Sequence, residues 1–142
     1  MKHYIYISAI FLLSLLAGCA KAPINSDVEG FWKVKEITVL STGETTRYTE
    51  MYYSITRMLT EVRGVGNAYI SRTEYRENET KLVLKDFKVR ASTSDNGQNA
   101  PIEGLRLYGI NSQSETVFDI VKCNGRKMTL QSDYSRLEME KF

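Results

Sequence analysis

"GFWKVKEITVL", Gly30 to Leu40, decides the fold. Apolar and polar residues alternate along it with a period of two rather than 3.6, and its β-branched and aromatic side chains suit a pleated, half-buried surface. The same pattern recurs from Val28 onward. Candidate strands are Phe31 to Leu40, Met51 to Val62, Asn67 to Arg76, Lys81 to Arg90, Thr116 to Cys123, Arg126 to Gln131 and Ser135 to Phe142. Turn signals separate them: "STGE", "RGVG", "RENE", "DNGQN", "SDY" and "CNGR". In the last of these, Asn124-Gly125 is the favoured centre of a two-residue type I′ hairpin turn. Only Ala100 to Ile110, "APIEGLRLYGI", breaks the pattern, as a short helix or an irregular plug. About eight antiparallel strands in sequence order make an all-β meander. A closed up-and-down barrel is expected, because closure removes exposed strand edges; a two-sheet sandwich is the alternative.

The N-terminus carries a different signal. The apolar block from Tyr4 to Leu16 covers 13 residues, too short for a membrane span of about 20. It follows Lys2 and precedes the small residues Ala17 and Gly18, the layout of a secretory signal peptide. Leu16-Ala17-Gly18-Cys19 resembles the bacterial lipobox, which implies cleavage before Cys19 and lipidation of its sulfur and new amine. Two or more acyl chains hold a protein stably on a bilayer. The expected domains are residues 1–18 as lipoprotein signal peptide, 19–27 as lipidated Cys19 and tether, and 28–142 as the barrel. Ala20 after the cysteine resembles an outer-membrane address, so the expected location is the bacterial cell envelope, lipid-anchored at the outer membrane.

Loss of residues 1–18 removes Lys2 and the single histidine, His3, leaving 18 basic against 17 acidic side chains. Without histidine, imidazole acid/base catalysis, Ser-His and Cys-His nucleophiles and His-ligated metals are excluded from the mature chain. With Cys19 lipidated, Cys123 is a lone thiol, read as a buried strand-end residue, and no intrachain disulfide forms. Near-neutral charge offers no footprint for nucleic acid. The carboxylates Asp86, Asp95, Asp119 and Asp133 form no recognisable catalytic pair, and no metal cluster or cofactor motif is present. No enzyme activity and no cofactor are expected.

Glu29-Gly30-Phe31-Trp32 opens the first strand, and Gly-x-Trp at that place resembles the lipocalin superfamily. The chain as a whole resembles the small lipocalin-like lipoproteins of Bacteroidetes, through the lipobox, "GFWKVKEI", "YYSI" and the closing "MTLQSDYSRLEMEKF". The resemblance implies a barrel with Gly30 and Trp32 at its closed end and a basic residue of the last strand packed across the indole. If Leu137 and Met139 face inward, the period of two turns Lys141 inward as well and sets it over Trp32, with Lys in place of the usual Arg.

Ligand chemistry must come from inward faces. One such face reads Met51, Tyr53, Ile55, Arg57, Leu59, which places the Arg57 guanidinium among core residues, where it needs an anionic or carbonyl partner. Another reads Tyr69, Ser71, Thr73, Tyr75, hydroxyls that suit a lined pocket. The leading expectation is a membrane-anchored barrel that binds a small apolar or amphipathic ligand through Tyr53, Arg57, Tyr69, Ser71, Thr73 and Tyr75. The alternative is a filled barrel, an accessory lipoprotein that touches an envelope or glycan-handling protein partner through surface near Tyr48, Tyr52 and Tyr108.

Overall fold

The computed structural model describes residues 22–142, so Cys19 and the signal segment lie outside the described residues. Ten strands and one short helix follow in order: β1 (Gly30–Val39), β2 (Thr45–Arg47), β3 (Tyr52–Ile55), β4 (Leu59–Arg63), β5 (Tyr69–Arg76), β6 (Lys81–Arg90), β7 (Asp95–Asn99), α1 (Ile102–Arg106), β8 (Glu115–Cys123), β9 (Lys127–Gln131) and β10 (Ser135–Lys141). Eight of them close into an antiparallel barrel, β1-β3-β4-β5-β6-β8-β9-β10 and back to β1. β2 lies on β1, and β7 lies on β6, as short flaps at one end. The seam is a full register between first and last strands, from Trp32 opposite Lys141 to Val39 opposite Ser135. The barrel, not the sandwich, is the fold.

Three bulges keep apolar side chains inward where a strict period of two would fail. In β1 the register slips between Val34 and Glu36, so Trp32 and Val34 face in before it and Ile37 after it. In β6, Arg72 pairs with Lys85 while Ile70 pairs with Lys88, leaving Asp86 and Phe87 opposite Ser71. Asp86 takes the extra position at φ 58°, a left-handed conformation that aspartate tolerates, and the inward set changes from Leu82 and Leu84 to Phe87. In β8 the slip between Ile120 and Lys122 turns Val121 out to solvent.

The barrel is sealed at both ends. At the closed end a turn over Asn25 to Glu29 folds across the opening and buries Val28. The Asn25 side chain accepts from the amides of Asp27 and Val28, and Glu29 Oε2 accepts from the Asn25 amide at 2.6 Å. The expected free tether of residues 20–27 is therefore shorter than its sequence suggests: Asn25 to Asp27 belong to the folded body. At the opposite end the connection between β7 and β8 dips into the barrel, carrying Ala100, Leu105, Tyr108 and Ile110 into the core.

Three local expectations are corrected. Met51 to Val62 is not one strand: β3 ends at Ile55, and Thr56 builds a tight turn, its hydroxyl donating to Leu59 O at 2.8 Å and accepting from Leu59 N at 3.1 Å. "DNGQN" is not merely a turn but the strand β7. In "CNGR" only Gly125 has positive φ, +84°, whereas a type I′ turn needs two such residues. Asn124 stands at the corner instead, its side chain accepting from the amides of Arg126 and Lys127.

Candidate functional site: the barrel interior and its plug

The barrel's inner face is where a ligand would sit, and side chains fill it. Trp32, Tyr53, Phe87, Tyr108 and Phe118 are fully buried, and Tyr69 is 2% exposed. An eight-stranded barrel is just wide enough to be filled by side chains or to hold one small ligand. Here it is filled.

Tyr53, Tyr69, Ser71, Thr73 and Tyr75 all point toward this interior, as their alternation on β3 and β5 requires. The Tyr53 hydroxyl donates to Tyr108 O at 2.5 Å. Ser71 Oγ donates to Thr60 O at 3.3 Å, and the Thr60 and Thr73 hydroxyls meet at 2.7 Å. Tyr69 packs edge-on against Tyr108, ring centroids 6.0 Å apart. Tyr75 Oη is buried without a hydrogen-bond partner. The hydroxyls of Tyr53, Ser71 and Thr73 are spent on holding strands and plug together. Burial holds the Tyr53 and Tyr75 phenols above the usual tyrosine range, helped by the neighbouring Tyr108 for Tyr53 and the Glu29 carboxylate for Tyr75.

Arg57 is not in the interior. The Thr56 turn ends the strand before it, so its side chain lies outside, and one guanidinium nitrogen donates to Ala22 O at 3.2 Å. Period two identifies a face but not where a strand stops, and no Gly, Pro or Asn marks this turn. The readable signal was Thr56, which closes a local hydroxyl turn. Tyr108 is likewise not part of a surface patch: it is fully buried in the plug. Cys123 is half-buried rather than buried, its thiol against Asp27 O at 3.3 Å.

Two glycines show why the plug seats where it does. A Cβ at Gly104 would stand 2.0 Å from Tyr69 Oη, so helix α1 meets the Tyr69 ring with no room for a side chain. Gly109, at φ +79°, turns the chain back after the helix so that its carbonyl accepts from Ser135 Oγ at 2.5 Å. Tyr108 Oη donates to Asn67 O at 2.9 Å and accepts from Val65 N at 3.1 Å, fastening the plug to the β4–β5 loop. The plug therefore reaches four parts of the barrel through polar contacts as well as apolar ones.

At the closed end, Trp32 Nε1 donates to Val28 O at 2.6 Å, and Lys141 Nζ lies 5.1 Å from the Trp32 ring centroid. Gly30, at φ +151°, leaves space for the Lys141 stem, since a Cβ there would stand 2.8 Å from Lys141 Cε. Clefts exist on the outside, one of about 390 Å³ bounded by Asn111, Glu115, Thr116 and Asp133, another of about 190 Å³ between Leu59, Arg72, Lys88 and Asp95. Among the described residues no cluster of His, Cys, Asp and Glu is placed to hold a metal ion.

A closed eight-stranded antiparallel barrel with an indole across one end and a cation laid on it is a lipocalin-like barrel. The chain belongs to the lipocalin-like domain family (Lipocalin_8), whose model matches residues 13–142. The family is in general one of binding folds rather than enzymes. Among solved structures, a lipocalin-like protein from Bacteroides uniformis is similar at 10% identity and a TM-score of 0.56, over 82% of this chain and 99% of that one. A protein from Bacteroides eggerthii is similar at 14% identity and TM-score 0.52, over 82% and 100% of the two chains. A third, from Burkholderia xenovorans, gives 14% identity and TM-score 0.50, over 88% and 93%. At these identities the likeness is one of fold. No curated protein matches the chain.

Proposed function

We propose that the mature protein is a non-catalytic lipoprotein of the bacterial outer membrane, anchored through Cys19, that works as an accessory module through the outside of a filled barrel. The observation that carries this reading is the plug. Opening the interior to a ligand would return Leu105, Tyr108 and Ile110 to water, at about 1.5–3 kcal/mol for each large side chain. The total, on the order of 4.5–9 kcal/mol, would weaken a ligand's apparent affinity by roughly three to six powers of ten. A small apolar or amphipathic molecule inside the barrel is therefore the weaker reading.

The outside offers a contact surface. Phe31, Tyr52 and Phe142 form an aromatic patch on the outer wall, with Phe31 stacked on Tyr52 at 5.2 Å and edge-on to Phe142 at 5.4 Å. The Arg63 guanidinium lies 5.3 Å from the Phe31 centroid. Half-buried aromatics beside an exposed Phe142 and an arginine are a composition favoured at protein contacts, so an envelope protein is the proposed partner class.

The test is native mass spectrometry of the mature protein extracted from envelopes in mild detergent. The expected species is the chain from Cys19 plus its covalent acyl groups, with no other mass. A reproducible non-covalent adduct that disappears in Tyr69→Phe or Tyr53→Phe would place a ligand inside the barrel and overturn the filled-barrel reading. A chain retaining residues 1–18 without acyl mass would overturn the anchor.

A further inference from the structure

The exposed large apolar side chains are not scattered evenly. Among the described residues Ile24 is 43% exposed, Met58 61%, Leu59 45%, Val121 51% and Phe142 78%, and all five stand toward the closed end, the one that Trp32 and Lys141 cover. Topology puts them there: Met58 ends the β3–β4 turn and Leu59 opens β4, Ile24 precedes the turn that caps the opening, Val121 is bulged out near the end of β8, and Phe142 follows β10. At the plug end only Leu40 and Leu107 are comparably bare.

Chain geometry decides what covers this rim. Ala22 is held against the β3–β4 turn by Arg57, whose guanidinium donates to its carbonyl. Cys19 lies three residues earlier, which at about 3.3–3.6 Å per residue gives a reach of roughly 10 Å. If Cys19 carries acyl chains in the bilayer, the closed end stays within about 10 Å of it, a distance comparable to the depth of the headgroup layer. The plug end is then turned away from the membrane.

Resting on the anchored reading above, we propose that the closed-end rim, with Ile24 and Met58 on it, docks into the lipid headgroup layer, so that the barrel stands upright on the bilayer. Apolar side chains set at such a boundary bury about 5–10 Å deep. The plug, both flaps, the cleft between β8 and the β9–β10 turn and the Tyr52–Arg63 side of the aromatic patch then face away from the bilayer, free for a protein partner, while Phe142 lies at the rim.

The test uses the acylated full-length product, purified and reconstituted into phosphatidylethanolamine and phosphatidylglycerol vesicles that contain a spin-labelled lipid quencher. In a Cys123→Ser background, Met58→Cys and Leu107→Cys are labelled separately with an environment-sensitive fluorophore. Quenching at position 58 is expected to exceed that at 107 by about threefold or more, given the depth of such a boundary. Vesicle-bound protein with equal quenching at both positions, or stronger quenching at 107, overturns the docking while leaving the anchor intact. Protein that carries no acyl mass and stays in the supernatant overturns the anchor and the docking together.

Discussion

Lys141 Nζ sits 5.1 Å from the centroid of the Trp32 indole, joining the last residue of β10 to the first turn of inward-facing residues on β1. This contact closes the barrel at the seam where its two terminal strands meet, and Lys141 also reaches Ser26 O at 3.4 Å. Lys141→Met is expected to cost about 0.5–2 kcal/mol, the range of a cation–π contact. Gly30→Ala must push the Lys141 stem aside, so its cost should shrink in the Lys141→Ala background. Urea denaturation of the four proteins of this cycle measures that coupling, and strict additivity would show that the two positions act independently.

Gly104→Ala drives a methyl group to within 2.0 Å of Tyr69 Oη. Overpacking of this kind costs about 1–3 kcal/mol. Tyr69→Phe removes the nearest atom but leaves Cζ at 2.8 Å, so the double variant should recover part of the loss and not all of it. Thermal unfolding of the single and double variants reads the rescue directly.

Tyr53→Phe deletes the donor to Tyr108 O and leaves that buried carbonyl without its hydroxyl partner, at a cost of about 1–3 kcal/mol. The same residue sets an alkaline limit. Below the ordinary tyrosine range both folded and unfolded chains hold the phenol proton, so stability there does not depend on it. As pH rises through about 10, the unfolded chain releases the proton while the folded chain, with Tyr53 raised well above that value by burial, keeps it. Stability then falls by about 1.4 kcal/mol per pH unit from this residue alone. Denaturant unfolding between pH 8 and 12 should show a shallower alkaline fall for Tyr53→Phe.

Arg57→Ala is expected to change stability by no more than about 0.5 kcal/mol, because an exposed side chain with one carbonyl contact contributes little. A loss of several kcal/mol in the same urea assay would return Arg57 to the core.

Much of this architecture was legible in the sequence. β6 follows its expected bounds, Lys81 to Arg90, and the pairing of the last strand with the first follows from closing the meander into a barrel. Where the reading failed, the cause was local. Arg57 and Leu59 were placed inside because the odd-numbered face of β3, Tyr53 and Ile55, was carried through a three-residue turn made by a threonine hydroxyl, whereas β4 buries the even positions Thr60 and Val62 and leaves Leu59 exposed. Phe87 and Val121 could not be oriented by counting, since bulges at Asp86 and Val121 reset the phase. β2, "TTR", is short and wholly exposed, so no burial pattern announces it. The turn over Asn25 did leave a trace, an Asn followed four residues later by Glu29, each closing on the other's backbone or flank. The plug was visible only as a break in periodicity, because its seating depends on Gly104 and Gly109 meeting Tyr69 and Ser135, contacts distant in sequence.

The segment from Ala100 to Ile110 is a permanent part of the core and not a lid. Native-state hydrogen exchange reports on its opening through the amides of Ala100, bonded to Phe87 O, and of Ile110, bonded to Leu105 O. They are expected to exchange only with global unfolding, at the same free energy as Leu82 and Leu84 in β6. Exchange at Ala100 and Ile110 through an opening several kcal/mol cheaper than that of β6 would contradict the claim and make the interior a site that opens.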